Sequence, residues 1–225
     1  MKASIQKHWK ENRALLYFIV LMVVFRSSLA DWNTVPTGSM KPTIVEGDRI
    51  LVNKLAYDLK LPLSHFRVLS WGDPERGDII VFDSKVEDTR LVKRVIGLPG
   101  DVIAMNNNQL YINGDLAQYS KLDALESYQR ATEELPGHPH AMQVAAMAPS
   151  PAGSFDPVTV PAGQFLVLGD NRDNSKDSRY IGFIPRGEII GRASYVVLSF
   201  NYDNYYLPRN NRFFKRLDAV SEMTE

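Results

Sequence analysis

The chain has 225 residues, 26 Lys+Arg against 26 Asp+Glu, and no cysteine. Zero net charge argues against a nucleic-acid binder, which carries a basic excess. The absence of cysteine excludes disulfides, thiolate metal sites and a cysteine nucleophile. The length suits one domain with a sizeable core, or one core that carries an insertion.

At the N-terminus, Lys2, Lys7, Lys10 and Arg13 precede the uninterrupted apolar run ALLYFIVLMVVF, residues 14–25. Arg26, the triplet SLA at 28–30 and Trp32 follow. A cleavable secretory signal has a basic start, about 7–15 apolar residues and a small-x-small end. An uncleaved anchor needs about 17–25 residues. Residues 14–30 reach that length if Arg26 snorkels to the far headgroups and Trp32 sits at the interface. Hydropathy alone leaves both readings open, and both keep the basic end in the cytoplasm and the rest outside it.

The stretch VPTGSMKPTIVEGD, residues 35–48, comes next. Gly38 permits unusual dihedrals, and Pro36 and Pro42 restrict φ, so Ser39 sits in a shaped turn. Mostly β structure follows. RILVNKLAY (49–57), DIIVFD (78–83) and RLVKRVIG (90–97) are short runs rich in β-branched residues. LKLPLSHFRVLSWG (59–72) carries Leu61, Leu63, Phe66, Leu69 and Trp71, either as ordinary core or as a surface that dips into lipid. DVIAMNNNQLYINGD (101–115) predicts a hairpin turning at Asn106–Asn108, and Asn113-Gly114 predicts a second tight turn. LESYQRATEEL (125–135) is the only soluble helix that the pattern suggests. Six of the 13 prolines fall between Pro136 and Pro161, which predicts a loop or irregular excursion. QFLVLGD (164–170) and IIGRASYVVLSF (189–200) are further strands, and the segment from Pro208 reads as a solvated tail. The fold class is mainly β.

A serine hydroxyl becomes a nucleophile when a base takes its proton. His8 lies on the cytoplasmic side of the apolar run, and His138 and His140 lie in the Pro-rich excursion. His65 has no carboxylate nearby in sequence, although members of a Ser-His-Asp triad need not be neighbours. Lysine is the other candidate, because burial strips its proton more readily. On a strand, Lys93 shares a face with Leu91 and Val95 and points away from Arg94. That face could desolvate its amine. From this stretch alone, a surface lysine on an edge strand is the simpler reading. Lys41 is a rival two residues from Ser39, in a turn that disfavours burial. In GDNRDNSKDSRYIGFIP, residues 169–185, Asp and Arg alternate after a buried strand. The spacing does not fit a calcium loop. It suggests ion pairs that order a loop.

Together, PTGSMKPT, RLVKRVIGLPGD and GDNRDNSKDSRYIGFIP, with ERGDIIVF at 75–82, resemble the bacterial type I signal peptidases, in that order and from about Val35 to Phe200. The resemblance implies a signal-peptidase-like antiparallel β core with a transmembrane helix and an irregular insertion. It implies a membrane-bound serine endopeptidase that removes signal peptides from exported preproteins, with Ser39 as nucleophile and Lys93 as general base. Thr37, in place of the more usual Ser, and the Ser39 N–H would form the oxyanion hole. Ser175 would orient the lysine. Asp177 with Arg179, and Asp170 with Arg94, would be supporting ion pairs. By analogy Val35, Met40, Ile44, Leu91 and Val92 would wall substrate pockets that admit small side chains.

The resemblance also favours the anchor. Nine extended residues from Ala30 to Ser39 span at most about 30 Å, which keeps the nucleophile near the membrane. The expected organisation is a cytoplasmic segment 1–13, an anchor 14–30, a catalytic core 31–105 and 162–203, an insertion 106–161 and a polar tail 204–225. Preprotein signal peptides and membrane lipid are the expected partners. No cofactor, metal or nucleic acid is implied, and a monomer is expected in the inner membrane with the catalytic domain on the outer side. The single apolar segment, the short insertion and the missing cysteine pair depart from familiar Gram-negative members. They leave open a dedicated maturation peptidase for one pilus or conjugation substrate. A non-catalytic tethered homologue is a further alternative, but it would be expected to have lost Ser39 or Lys93.

Overall fold

The computed structural model describes residues 2–64, 66–147 and 151–217, with the backbone alone for 2–11, 121 and 122. A helix over Lys2–Val24 runs into a π-helical turn at Phe25–Leu29. Its window Asn12–Leu29 has a mean hydropathy of 1.5 and is 6% buried, long and apolar enough to cross a membrane.

From that turn the chain enters a nine-stranded antiparallel sheet. Ala30–Thr34 forms one edge and pairs with Asp48–Asn53, which pairs with Ile189–Asn201. Ile79–Ser84, Thr89–Gly97, Gln164–Leu168 and Ile184–Pro185 follow in order. The exit from the apolar helix is fastened to this sheet. Arg26 donates two hydrogen bonds to Asp31 at 2.7 and 3.1 Å and stacks over Trp32 at 4.5 Å. Lys54 donates to the carbonyls of Arg26 at 2.6 Å and Ser27 at 3.3 Å.

The β-branched runs fall in the sheet interior. One face packs Val35, Met40, Ile44, Ile50, Val52, Ile79 and Val81 together, with the half-buried Val92 against them. The other packs Ile80, Phe82, Val95, Phe165 and Val167, with Leu91 against them. A second sheet joins Phe155–Thr159, Val102–Asn106, Gln109–Ile112 and Asp115–Leu116. Its hairpin turns where expected. Asn107 and Asn108 have φ of 49° and 62°, and Asn113 and Gly114 have 54° and 92°. Asn and Gly tolerate that left-handed region.

Residues 118–145 differ from the expectation. The suggested helix at 125–135 is a strand, Tyr128–Leu135, at the centre of a three-stranded antiparallel sheet between Gln118–Ala124 and His138–Ala145. Much of the Pro-rich stretch is also strand. Pro139 lies on His138–Ala145 and Pro157 on Phe155–Thr159, each an edge strand of its sheet. An edge position does not require the N–H that proline lacks.

The C-terminal segment also departs from a solvated tail. Lys215–Arg216 pairs with Ile189–Asn201, and Leu217 is buried in the core. Arg212 donates to the buried Asp48 at 2.5 and 3.0 Å and to the Thr43 carbonyl at 2.9 Å. Residues 218–225 lie outside the described residues. Because Asp48 is fully buried, its loss leaves a buried guanidinium without its counter-charge, which costs about 3–5 kcal/mol. Asp48→Asn is therefore expected to lower the unfolding free energy by that amount in urea titration.

Candidate active site

The site assembles from three chain segments. The first is the turn after the edge strand. Met40 and Ile44 are buried at 1% and 0% exposure. They pin the turn to the sheet and leave Ser39 half-buried at its rim, while Thr37 is exposed. The Lys41–Pro42 peptide is cis. The second is the strand Thr89–Gly97, in which Lys93 pairs with Ile80 and Arg94 with Ile79. The third is the loop that follows Gln164–Leu168.

Lys93 is 2% exposed. Its Nζ lies 2.8 Å from Ser39 Oγ and 3.0 Å from the Val92 carbonyl oxygen. Burial pulls the amine down to about 8. The charges of Asp177 and Asp170 push it back up, and Arg179 adds to the lowering. A lysine near its midpoint at neutral pH and in contact with a serine hydroxyl can exchange a proton with it. The edge-strand reading of Lys93 therefore fails. The partner strands Ile79–Ser84 and Gln164–Leu168 lie on either side of its own.

The loop is ordered by buried charge. Arg94 donates to both carboxylate oxygens of Asp170 at 2.7 and 2.8 Å, with side chains 4% and 1% exposed. Burial opposes the Asp170 carboxylate, but the Arg94 guanidinium and its hydrogen bonds outweigh it and hold the carboxyl below its ordinary range. Arg179 donates to Asp177 through two N–H groups at 2.7 Å each. Asp177 also accepts from the Gly169 N–H at 2.9 Å. Both ion pairs named from the sequence are thus formed.

Ser175 is buried, and its Oγ has no hydrogen-bond partner among the described residues. No bond to Lys93 is made here. Gly169 explains how the segments approach so closely, because a Cβ there would overlap Ser175 Oγ and the Ser39 carbonyl oxygen. On the other side, the Asn171 N–H donates to the Ser39 carbonyl at 3.1 Å, and Asn171 Nδ2 donates to the Gly38 carbonyl at 3.0 Å. Sequence reasoning missed Asn171. Its place between Asp170 and Arg172 in an ion-pair loop was the available signal.

The expected pocket residues separate. Val35, Met40 and Ile44 share the Val92 face of the sheet and are themselves buried, whereas Leu91 packs on the opposite face with Phe82 and Val95. Among the alternative bases, Lys41 is paired with Glu46 at 2.7 Å. His138 is exposed, and His140 lies against Glu133 and Asp170. His65 lies outside the described residues. No cluster that could hold a metal ion occurs among the described residues. Leu61, Leu63, Phe66, Leu69 and Trp71 are exposed, so the 59–72 stretch is not core.

A family model described as "Signal peptidase, peptidase S26" matches residues 8–198. Signal peptidase I of Pseudomonas fluorescens is 39% identical over 203 residues, covering 81% of this chain and 69% of that protein. Signal peptidase I of Pseudomonas aeruginosa is 38% identical over 203 residues with the same coverage. Signal peptidase I of Bacillus amyloliquefaciens is 30% identical over 202 residues, covering 89% of this chain and 91% of that protein. With a matched span that contains the turn, the lysine strand and the ion-paired loop, the chain belongs to the signal peptidase family, peptidase S26.

Proposed function

We propose that the chain is a membrane-anchored serine endopeptidase that removes N-terminal signal peptides from exported preproteins, with Ser39 as nucleophile and Lys93 as its general base. The observation that carries this reading is the 2.8 Å contact between Lys93 Nζ and Ser39 Oγ. Family membership supports the substrate class.

In the neutral form, the Lys93 amine accepts the Ser39 hydroxyl proton as Oγ attacks the scissile carbonyl. The tetrahedral oxyanion accepts hydrogen bonds from the Ser39 N–H and the Thr37 hydroxyl, donors aimed at charge that develops in the transition state. The Lys93 ammonium then gives its proton to the departing amine, leaving an acyl-enzyme on Ser39. Water attacks that ester as Lys93 takes its proton, the Oγ–C bond breaks to release the signal peptide's new carboxyl group, and the Lys93 ammonium returns the proton to Ser39 Oγ. Donation to the Val92 carbonyl fixes one direction of the amine. Ser175 Oγ, buried beside Gly169 and the Ser39 carbonyl and without a partner of its own among the described residues, is assigned the role of aiming the amine once substrate is bound.

Specificity for small side chains comes from the apolar surroundings of the dyad. Val92 and Leu91 are half-buried on opposite faces of the lysine strand, and Val35, Met40 and Ile44 back the Val92 side. Such pockets discriminate by only about 1–3 kcal/mol per methylene. Position supplies the rest. The apolar helix spans the inner membrane with its basic end in the cytoplasm. Its exit, held by Arg26, Asp31 and Lys54, sets the catalytic sheet at the outer surface, and the exposed 59–72 stretch contacts lipid.

Ser39→Ala and Lys93→Ala are each expected to lower kcat on a preprotein by on the order of 10⁴, measured in detergent or vesicles. Neutral lysine is the active form, so kcat should rise with pH and level off above about 8. Lys93→Arg stays charged and should be inactive throughout that range. The same burial destabilises the fold. The unfolded chain binds a proton that the folded chain lacks between about 8 and 10.5, so stability rises with pH across that window. Below it, the buried ammonium costs about 3 kcal/mol. Lys93→Met should therefore raise the unfolding free energy at pH 7 by an amount of that order while abolishing cleavage.

A further inference from the structure

Behind the dyad lies a second group of buried ionisable side chains that the reaction does not use. The inserted sheet supplies two of them, Glu133 and His140, with the half-buried Tyr119 beside them. Tyr119 Oη donates to Glu133 at 2.6 Å, and Glu133 pairs along the sheet with His140. Glu133 is fully buried, and its carboxylate accepts both terminal N–H groups of Arg172. Arg172, 1% exposed, belongs to the loop after Gln164–Leu168 and not to the insertion. The insertion thus brings a carboxylate whose guanidinium partner comes from the catalytic core.

His140 fills the space between the two ion pairs. Its Nε2 lies 3.4 Å from Glu133 and 3.8 Å from Asp170, and neither ring nitrogen makes a hydrogen bond among the described residues. Burial holds the imidazole down at about 4, neutral at working pH between Arg94 and Arg172.

The backbone carries the same connection. The Gln143 N–H donates to the Asp170 carbonyl at 2.8 Å, and the Ala145 N–H to the Asp173 carboxylate at 2.8 Å. Arg172 Nε donates to the Gly169 carbonyl at 3.3 Å. One residue along the loop, Asn171 holds the carbonyls of Gly38 and Ser39. Arg94, the other partner of Asp170, is the residue after Lys93. A continuous path of buried contacts therefore runs from the insertion to both members of the dyad.

The geometry points to Glu133 and His140 as positioning residues for the Ser39–Lys93 dyad. They act through the Gly169–Asp173 loop, so that the insertion holds the active site in register. This rests on the proposed roles of Ser39 and Lys93. A displacement of about 1 Å at reacting atoms costs about 10²-fold in rate, and the loop touches the nucleophile's own backbone.

The test uses the full chain in detergent, with kcat, KM and melting temperature measured for each variant and Ser39→Ala run alongside. Glu133→Gln is expected to lower kcat at least tenfold with KM within twofold. Replacing both buried charges, Glu133→Gln with Arg172→Met, removes the unbalanced guanidinium. It should recover most of the melting temperature but not kcat, because the loop stays untethered. His140→Gln, which stays neutral, should lower kcat at least threefold with KM unchanged, and it decides the matter if the Glu133 variants do not fold. Full kcat in the folded fraction of Glu133→Gln or of His140→Gln overturns the proposal, as does a double variant that regains kcat along with stability. A parent enzyme that cuts no preprotein sinks the functional reading instead, and that result is distinct from a cutting parent with indifferent variants.

Discussion

The contact between Lys93 Nζ and Ser39 Oγ, 2.8 Å long and made by an amine almost wholly shielded from water, sets the terms for the rest of the molecule. A lysine amine in water holds its proton too firmly to act as a base. Here desolvation brings it down, and the surrounding charges set how far. Asp177 and Asp170 raise it, and Arg179, paired with Asp177, offsets part of that rise. The ion pairs around the dyad are therefore more than scaffolding. They let a carboxylate-rich loop approach a buried amine whose pKa is lowered.

Close approach is the second constraint. The loop can lie against the Ser39 turn because Gly169 has no Cβ to meet Ser175 and the Ser39 carbonyl. It stays there because Asn171 holds the backbone of the Ser39 turn, and Asp177 and Arg172 each hold backbone as well as an opposite charge. Buried pairs of this kind contribute little net stability and cost heavily when broken. Their value lies in specifying one arrangement. The anchor follows the same logic on a larger scale. Two basic side chains and one carboxylate join the end of the apolar helix to the sheet edge that leads to Ser39.

The central strands were legible because their β-branched runs have a short period, and the two Asn-containing turns because few residues accept a positive φ. The alternating charges of 169–185 made an ion-paired loop legible, while the specific pairs Arg94 with Asp170 and Arg179 with Asp177 were legible only through the family resemblance. The 125–135 segment was not. Glu and Gln favour helix in isolation, but Glu133 is decided by Arg172, 39 residues away, and by its place opposite His140. Long-range pairing overrides local propensity there. The prolines around His140 point to a loop, yet Pro139 beside it sits on an edge strand that tolerates it. The burial of Lys93 could not be read from Leu91 and Val95 alone, because it needs the strands on either side. The C-terminal segment looked polar because the buried Asp48 that recruits Arg212 lies 164 positions earlier.

Catalysis by a Ser39–Lys93 dyad requires one protonation equilibrium, so the most direct measurement is the titration of Lys93 itself. In protein labelled with 13C at lysine Cε, the NMR resonance that disappears in Lys93→Ala identifies the residue, and its shift can be followed against pH in the otherwise intact enzyme. A midpoint at about 8 is expected. A midpoint near the ordinary value of 10.5 would contradict it, because the amine would then be charged in the working enzyme and could not take the proton of Ser39.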